Sequence, residues 1–129
     1  MNFQRYDALA IGQLHTCFHA AFSEYKLPIN LSEKDFRIRI NQKIHVDHNL
    51  SRTMYSHDEM IGFVLHSRNS YEGIDTIYNG GTGVIPSERG KGIGRKIYER
   101  LLPTLSQSGA RRIILEVITS NLIAIKLYT

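Results

Sequence analysis

The stretch from Gly80 to Gly94 constrains this chain more than any other. It places Gly80, Gly81 and Gly83 at the end of an apolar segment, Ile74 to Val84, and Gly90, Gly92 and Gly94 at the head of an amphipathic one that runs to Gln107. The first segment has the length of a strand, and the second repeats Ile93, Ile97, Leu101 and Leu105 at helical spacing. Glycines in the loop between them adopt positive φ at little cost and carry no Cβ, so successive backbone N–H groups can close on a ligand. The start of the helix adds unpaired N–H groups and the positive end of its dipole, which makes a phosphate or pyrophosphate the natural guest. Arg89, Lys91, Arg95 and Lys96 add positive charge to the same stretch.

Spacing separates the kinds of glycine loop that bind phosphate. A nucleoside-triphosphate loop needs a first glycine where Ile85 stands and Ser or Thr where Gly92 follows Lys91. A dinucleotide fingerprint needs a third glycine at the position of Arg95, and its acidic ribose ligand has no candidate before Glu116. What remains is Arg89-x-x-Gly92-x-Gly94, preceded by Val84-x-Pro86. A second pattern follows the helix: Arg112 to Val117 reads as a buried strand, and Asn121-x-x-Ala124-x-x-Leu127-Tyr128 comes after it. The two patterns in this order resemble the acetyl-CoA loop and the second cofactor motif of the GNAT superfamily of N-acetyltransferases. The resemblance is specific over about residues 76–128 and extends to residues 1–75 only as a pattern of elements.

That resemblance implies acetyl-CoA as co-substrate, held by Val84, Ile85, Arg89, Gly90, Lys91, Gly92, Ile93, Gly94, Arg95 and Asn121, with no metal. The pantetheine arm would run beside the strand ending at Val84, bonding its backbone around Val84 and Ile85. Tyr128 would protonate the departing thiolate. The implied fold is α+β in α/β/α layers, with a mixed, mostly antiparallel sheet and one parallel strand pair joined by a crossover helix. The implied reaction moves the acetyl group to a primary amine, on a small molecule or a peptide, by direct attack in a ternary complex. The base for that amine stays open among Asp75, Tyr78, His66 and a water chain. By the same resemblance the early helices cover the acceptor site, so Glu24, Tyr25, Asp35 and Arg37 are candidates to touch substrate. Superfamily members usually continue past the Leu127-Tyr128 pair into two more strands, whereas this sequence ends at Thr129. A homodimer that completes the sheet edge is one expectation from that ending. A CoA-binding module that does not turn over is the alternative to an enzyme.

Composition narrows the remaining classes. At 129 residues the chain is read as one domain, 1–129, able to bury about two-thirds of its unfolded surface in one core. Hydrophobic residues make up 42% and charged residues 22%, and no apolar run approaches the roughly 18 residues of a membrane helix. The N-terminus lacks the basic-then-apolar layout of a signal peptide, so no membrane association and a cytoplasmic location are expected. Much of the modest excess behind the net charge of +4 gathers around the glycine loop, where a polyanionic cofactor accounts for it, and no nucleic-acid partner is expected. The one cysteine, Cys17, lies among Phe18, Ala21 and Phe22 and reads as a small buried side chain. His15 and His19 stand four apart, but Thr16 occupies the position a zinc protease gives to glutamate, and no third ligand is apparent.

The rest of the chain divides into short elements. Phe3 to Tyr6 reads as a strand, with Asp7 as N-cap of a helix over 8–23. Lys26 to Asn30 breaks that helix at Pro28. Ser32 caps a second helix with Phe36, Ile40 and Ile44 on its inner face. Leu50 to Ser56 and Met60 to His66 form a hairpin around His57 to Glu59, and Asn69 to Gly73 is a loop. Gly80, Gly81 and Gly83 predict a bulge or a close backbone approach. Ser108-Gly109 stops the helix after the glycine loop, and Pro103 predicts a kink or a broken last turn.

Overall fold

A computed structural model describes residues 1–23 and 31–114. Strand β1, Asn2–Arg5, opens the chain. The Asp7 carboxylate then accepts from the Leu9 amide at 2.8 Å and starts a 3₁₀ turn that leads into helix α1, Ile11–Ala21. Leu14, Cys17, Phe18 and Ala21 are buried, as their spacing requires. Helix α2, Glu33–Ile38, begins where the Ser32 hydroxyl accepts from the Asp35 amide at 3.1 Å. The expected continuation to Ile44 takes a wider form, a π-helical turn over Arg39–Ile44 that ends at left-handed His45, with the Val46 amide donating to the Ile40 carbonyl. The wider turn still buries Ile40 beside Phe36.

Among the described residues the sheet has five strands in sequence order, β1 to β5, with β2 at Arg52–Ser56, β3 at Glu59–Tyr71, β4 at Ile74–Val84 and β5 at Arg112–Ile114. All neighbours are antiparallel except β4 and β5, which run parallel and are joined through helix α3, Ile93–Gln107. Adjacent residues of β3 show that helices cover both faces. A Cβ on Gly62 would meet Ile93 and Ile97 of α3, whereas Phe63 stacks against Phe18 of α1. Phe36 of α2 packs on Phe18 in turn. The expected α/β/α layering and mixed sheet are therefore what the chain adopts.

Four expectations are corrected. Asn69 to Gly73 is not a loop: β3 runs on to Tyr71, pairs with Ile74, and turns through Glu72 and Gly73 at φ of 57° and 76°. Two positive φ angles suit the twist of a two-residue hairpin, and this long hairpin carries polar residues because its tip projects past β2. Of the two outcomes expected at Pro103, a kink or a broken last turn, the break does not occur: helix α3 continues to Gln107. Pro103 and Glu99 lie on its exposed side, so the carbonyl that loses its donor can turn to water. Ser108 and Gly109, at φ 80°, stop the helix as predicted. The buried strand expected over 112–117 is described only to Ile114, and its Ile113 is 41% exposed. His66, expected at a strand end beside the cleft, lies within β3 and is fully buried.

The bulge expected among the glycines of β4 is present. Leu65 pairs with Gly81 and His66 with Asn79, which leaves Gly80 as the extra residue. At Gly83 the close approach is by side chains and not by a backbone: a Cβ there would stand 2.7 Å from the Phe63 ring and 2.9 Å from Ala21 Cβ. The glycine lets α1 and the Phe63 ring close over the sheet.

Candidate active site

The loop after β4 begins with its backbone committed to the sheet. The Ile85 amide donates to the Ile61 carbonyl at 3.0 Å, and the Ile85 side chain is buried. Alternation along the strand then turns the Val84 amide to the opposite edge of β4, the side of β5. Among the described residues β5 pairs with Thr76 to Tyr78 and no farther, so Val84 presents its amide to an edge without a described strand. Of the two residues expected beside a pantetheine arm, Val84 can meet a ligand through its amide, and Ile85 anchors the loop.

A 3₁₀ turn over Pro86–Glu88 follows, in which the Glu88 amide bonds to the Ile85 carbonyl and the Arg89 amide to the Pro86 carbonyl. Gly90 and Gly92 then take φ of 82° and 72°, and a Cβ at either would meet nothing within 4 Å. Gly92 is the N-cap of α3, and its carbonyl accepts from the Lys96 amide at 3.0 Å. Between the Arg89 and Lys96 amides, those from Gly90 to Arg95 find no partner among the described residues. Helix α3 has no side-chain cap and no acidic residue in its first turn. Lys91 and Arg95 are exposed beside these amides, whereas Ile93 and Gly94 are buried and seat the helix against the sheet. The result is a run of backbone donors at the positive end of a helix dipole, which suits a phosphate-bearing ligand.

Two charged side chains of the loop already have partners. Lys91 Nζ lies 3.0 Å from Glu88 Oε2. Arg89 is half-buried, with Nε donating to the Val84 carbonyl at 3.3 Å and Nη2 donating to the Ala21 carbonyl at the end of α1. The contact with Ala21 spans 68 positions and has no local signature in the sequence. Glu88 and Ala21 are the loop's neighbours that sequence reasoning did not single out.

The candidate bases differ in their surroundings. His66 donates from Nδ1 to the Leu50 carbonyl at 2.7 Å and stands edge-on to Tyr98. Desolvation pushes its pKa below the usual 6.5, opposed by that hydrogen bond, so it is a neutral core imidazole. Asp75 lies near the hairpin tip and accepts from Arg68 Nε at 3.0 Å and Nη2 at 2.6 Å. Those bonds hold its carboxyl below the ordinary range and weaken it as a base. Tyr78 is half-buried on β4, paired with Ile114 of β5.

Among the acceptor candidates, Arg37 pairs with Glu33 at 3.2 Å and Asp35 is exposed in the first turn of α2. Glu24 and Tyr25 lie outside the described residues, as do Asn121 and Tyr128. His15 and His19 both meet the backbone of Leu31, His15 Nε2 donating to its carbonyl at 2.6 Å and His19 Nε2 accepting from its amide at 3.2 Å. They thereby hold the start of the α2 segment on α1. Burial pushes the Cys17 thiol up to about 12, so it stays protonated among apolar neighbours. No helix among the described residues is long and apolar enough to cross a membrane.

The loop geometry and the element order agree with a family-level match: the model of the acetyltransferase (GNAT) family matches residues 13–129. The chain belongs to the GNAT acetyltransferase family. Solved structures reproduce this GNAT fold over nearly the whole chain. An integron cassette protein from the mobile metagenome of V. cholerae superposes with a TM-score of 0.74 at 21% identity, over 98% of this chain and 81% of that one. Glucosamine-6-phosphate N-acetyltransferase from Arabidopsis thaliana gives a TM-score of 0.68 at 13% identity, over 99% and 90%. A GNAT family acetyltransferase from Brucella melitensis, solved in complex with acetyl-CoA, gives 0.66 at 18% identity, over 90% and 76%. At these identities the likeness is one of fold. No curated protein matches the chain in sequence.

Proposed function

We propose that the chain is an acetyl-CoA-dependent N-acetyltransferase that passes the acetyl group directly to a primary amine in a ternary complex. The observation that carries this reading is the run of amides from Gly90 to Arg95 that find no partner among the described residues, at the head of a helix without a side-chain cap and flanked by Lys91 and Arg95. Such a run fits a pyrophosphate, and in a GNAT chain the pyrophosphate is that of CoA. The Val84 amide, turned to an edge of β4 that no described strand pairs, would steady the thioester oxygen as it gains charge. The amine lone pair attacks the thioester carbonyl carbon, the carbon–sulfur bond breaks, and the thiolate leaves. In this reading Tyr128 gives its proton to that thiolate, Asn121 positions the cofactor, and the amine's proton passes to Tyr78 or to water, since His66 is buried and Asp75 is held by Arg68. The acceptor class is a small-molecule or peptide amine.

Titration calorimetry with CoA and acetyl-CoA, followed by mass spectrometry on a panel of hexosamine and peptide amines, tests the proposal. Gly92→Val forces a β-branched residue into the left-handed region at φ 72°, at a cost of about 1–2 kcal/mol in the loop. CoA binding is expected to be lost while the circular dichroism spectrum stays native. Unchanged affinity in Gly92→Val would overturn the cofactor assignment. CoA binding without acetyl transfer to any amine would favour a module that holds the cofactor without turnover.

A further inference from the structure

Arg89 differs from the other basic residues of the loop. Lys91, Arg95 and Lys96 are exposed, whereas the Arg89 guanidinium is half-buried and donates to two carbonyls that lie far apart in the chain. One belongs to Val84, the last residue of β4, and the other to Ala21, the last residue of α1. The final carbonyls of a helix lack partners within it and stand at the negative end of its dipole, so a guanidinium there satisfies an orphan acceptor. These two acceptors, among the described residues, are neutral backbone groups. What the side chain supplies to them is a rigid two-pronged geometry that a lysine ammonium cannot reproduce.

We propose that Arg89 is a positioning residue that clasps the cofactor loop to the end of α1, so that filling the loop with CoA is felt at that helix end. The proposal rests on the cofactor reading given above. Linkage makes the coupling reciprocal: whatever the clasp contributes to CoA affinity, CoA returns as added order at Phe22 and Ser23, whose amides bond back to Phe18 and Ala20.

The test compares the full chain with Arg89→Lys and Arg89→Gln, measuring CoA affinity across a salt series and amide hydrogen exchange on peptides covering the end of α1. A clasp predicts that both variants weaken CoA binding by about tenfold, the scale of losing hydrogen bonds from a charged donor. It predicts a salt slope equal to that of the unaltered chain, because no phosphate contact is removed. It also predicts that CoA slows exchange at Phe22 and Ser23 in the unaltered chain and in neither variant. If Arg89→Gln does not fold, Arg89→Lys carries the comparison alone. Wild-type affinity in Arg89→Lys, with a shallower salt slope in Arg89→Gln, would overturn the proposal and make Arg89 a charge partner of the phosphates. CoA binding that leaves exchange at the α1 end unchanged would also overturn it. Absence of CoA binding in the unaltered chain would remove the cofactor reading and the coupling together, an outcome distinct from both.

Discussion

His66 shows how one residue changes meaning between sequence and structure. Beside a cleft an imidazole is a proton shuttle, but here the ring is fully buried, with Nδ1 donating to the Leu50 carbonyl and Nε2 facing the Asn79 amide group at 3.5 Å. The backbone around it is tied as closely, since the His66 amide donates to the Ser51 hydroxyl, which donates to the Asp47 carbonyl. Burial disfavours the imidazolium, so the folded-state pKa lies below the usual 6.5. As pH falls through the usual 6.5 toward that lower value, the unfolded chain takes up a proton that the folded chain does not. Stability is therefore full above the unfolded pKa and declines as pH drops toward the folded one. Urea unfolding at about pH 7.5 and about pH 5.5 should show a larger loss in the wild type than in His66→Gln, which cannot titrate. Parallel losses in the two proteins would show that His66 does not set the acid sensitivity. Spacing could not reveal this role, because the acceptor at Leu50 comes from a different segment.

At the scale of elements, local signals were legible wherever the backbone itself carried them. Asp7 and Ser32 cap helices, the α3 stripe is buried from Ile93 to Leu105, and Gly80 bulges its strand. The misses share a cause in tertiary context. Polarity at Asn69 to Gly73 looked like a loop because solvent reaches a hairpin that outruns its neighbour. Pro103 predicts a kink or a broken last turn, yet α3 continues through it because the inner stripe, Leu101 and Leu105, stays packed while the missing bond falls on the water side. That packing leaves a removable penalty. Pro103→Ala restores a donor to the Glu99 carbonyl and should raise stability by about 1 kcal/mol, less than the full helix-interior cost of proline because the unfolded chain also gains freedom. Thermal unfolding is the measurement, and a lower melting temperature would mean that the proline ring packs usefully.

For the whole molecule, the legible part of the site was the part made of consecutive residues. The loop from Val84 to Arg95 could be read because its chemistry is its own backbone, while the reach of Arg89 to Ala21 and the burial of His66 depend on where distant elements dock. The bulge at Gly80 links these scales. Before it, Ile77, Asn79 and the paired His66 face α3; after it, Gly81 and Gly83 face α1 and Val84 faces α3 again. Odd-numbered residues thus change sides across Gly80, as if two short strands with separate reading frames were spliced there, and the Asn79 side chain bridges the splice to Thr82 Oγ1 at 3.0 Å. A chain without Gly80 would keep every pairing on either side, since Leu65 would still meet Gly81 and His66 would still meet Asn79. It would lose only the bend that a bulge imparts, which lies just past the residues that pair with β5. Deleting this single residue should therefore leave the fold nearly as stable while weakening CoA binding at the Val84 edge, as calorimetry and melting would show together. Loss of both would mean that the splice serves folding. Loss of binding alone would make Gly80 a spacer whose presence sets the angle between a finished sheet and its ligand, a quantity tunable by insertion or deletion where substitution cannot reach it.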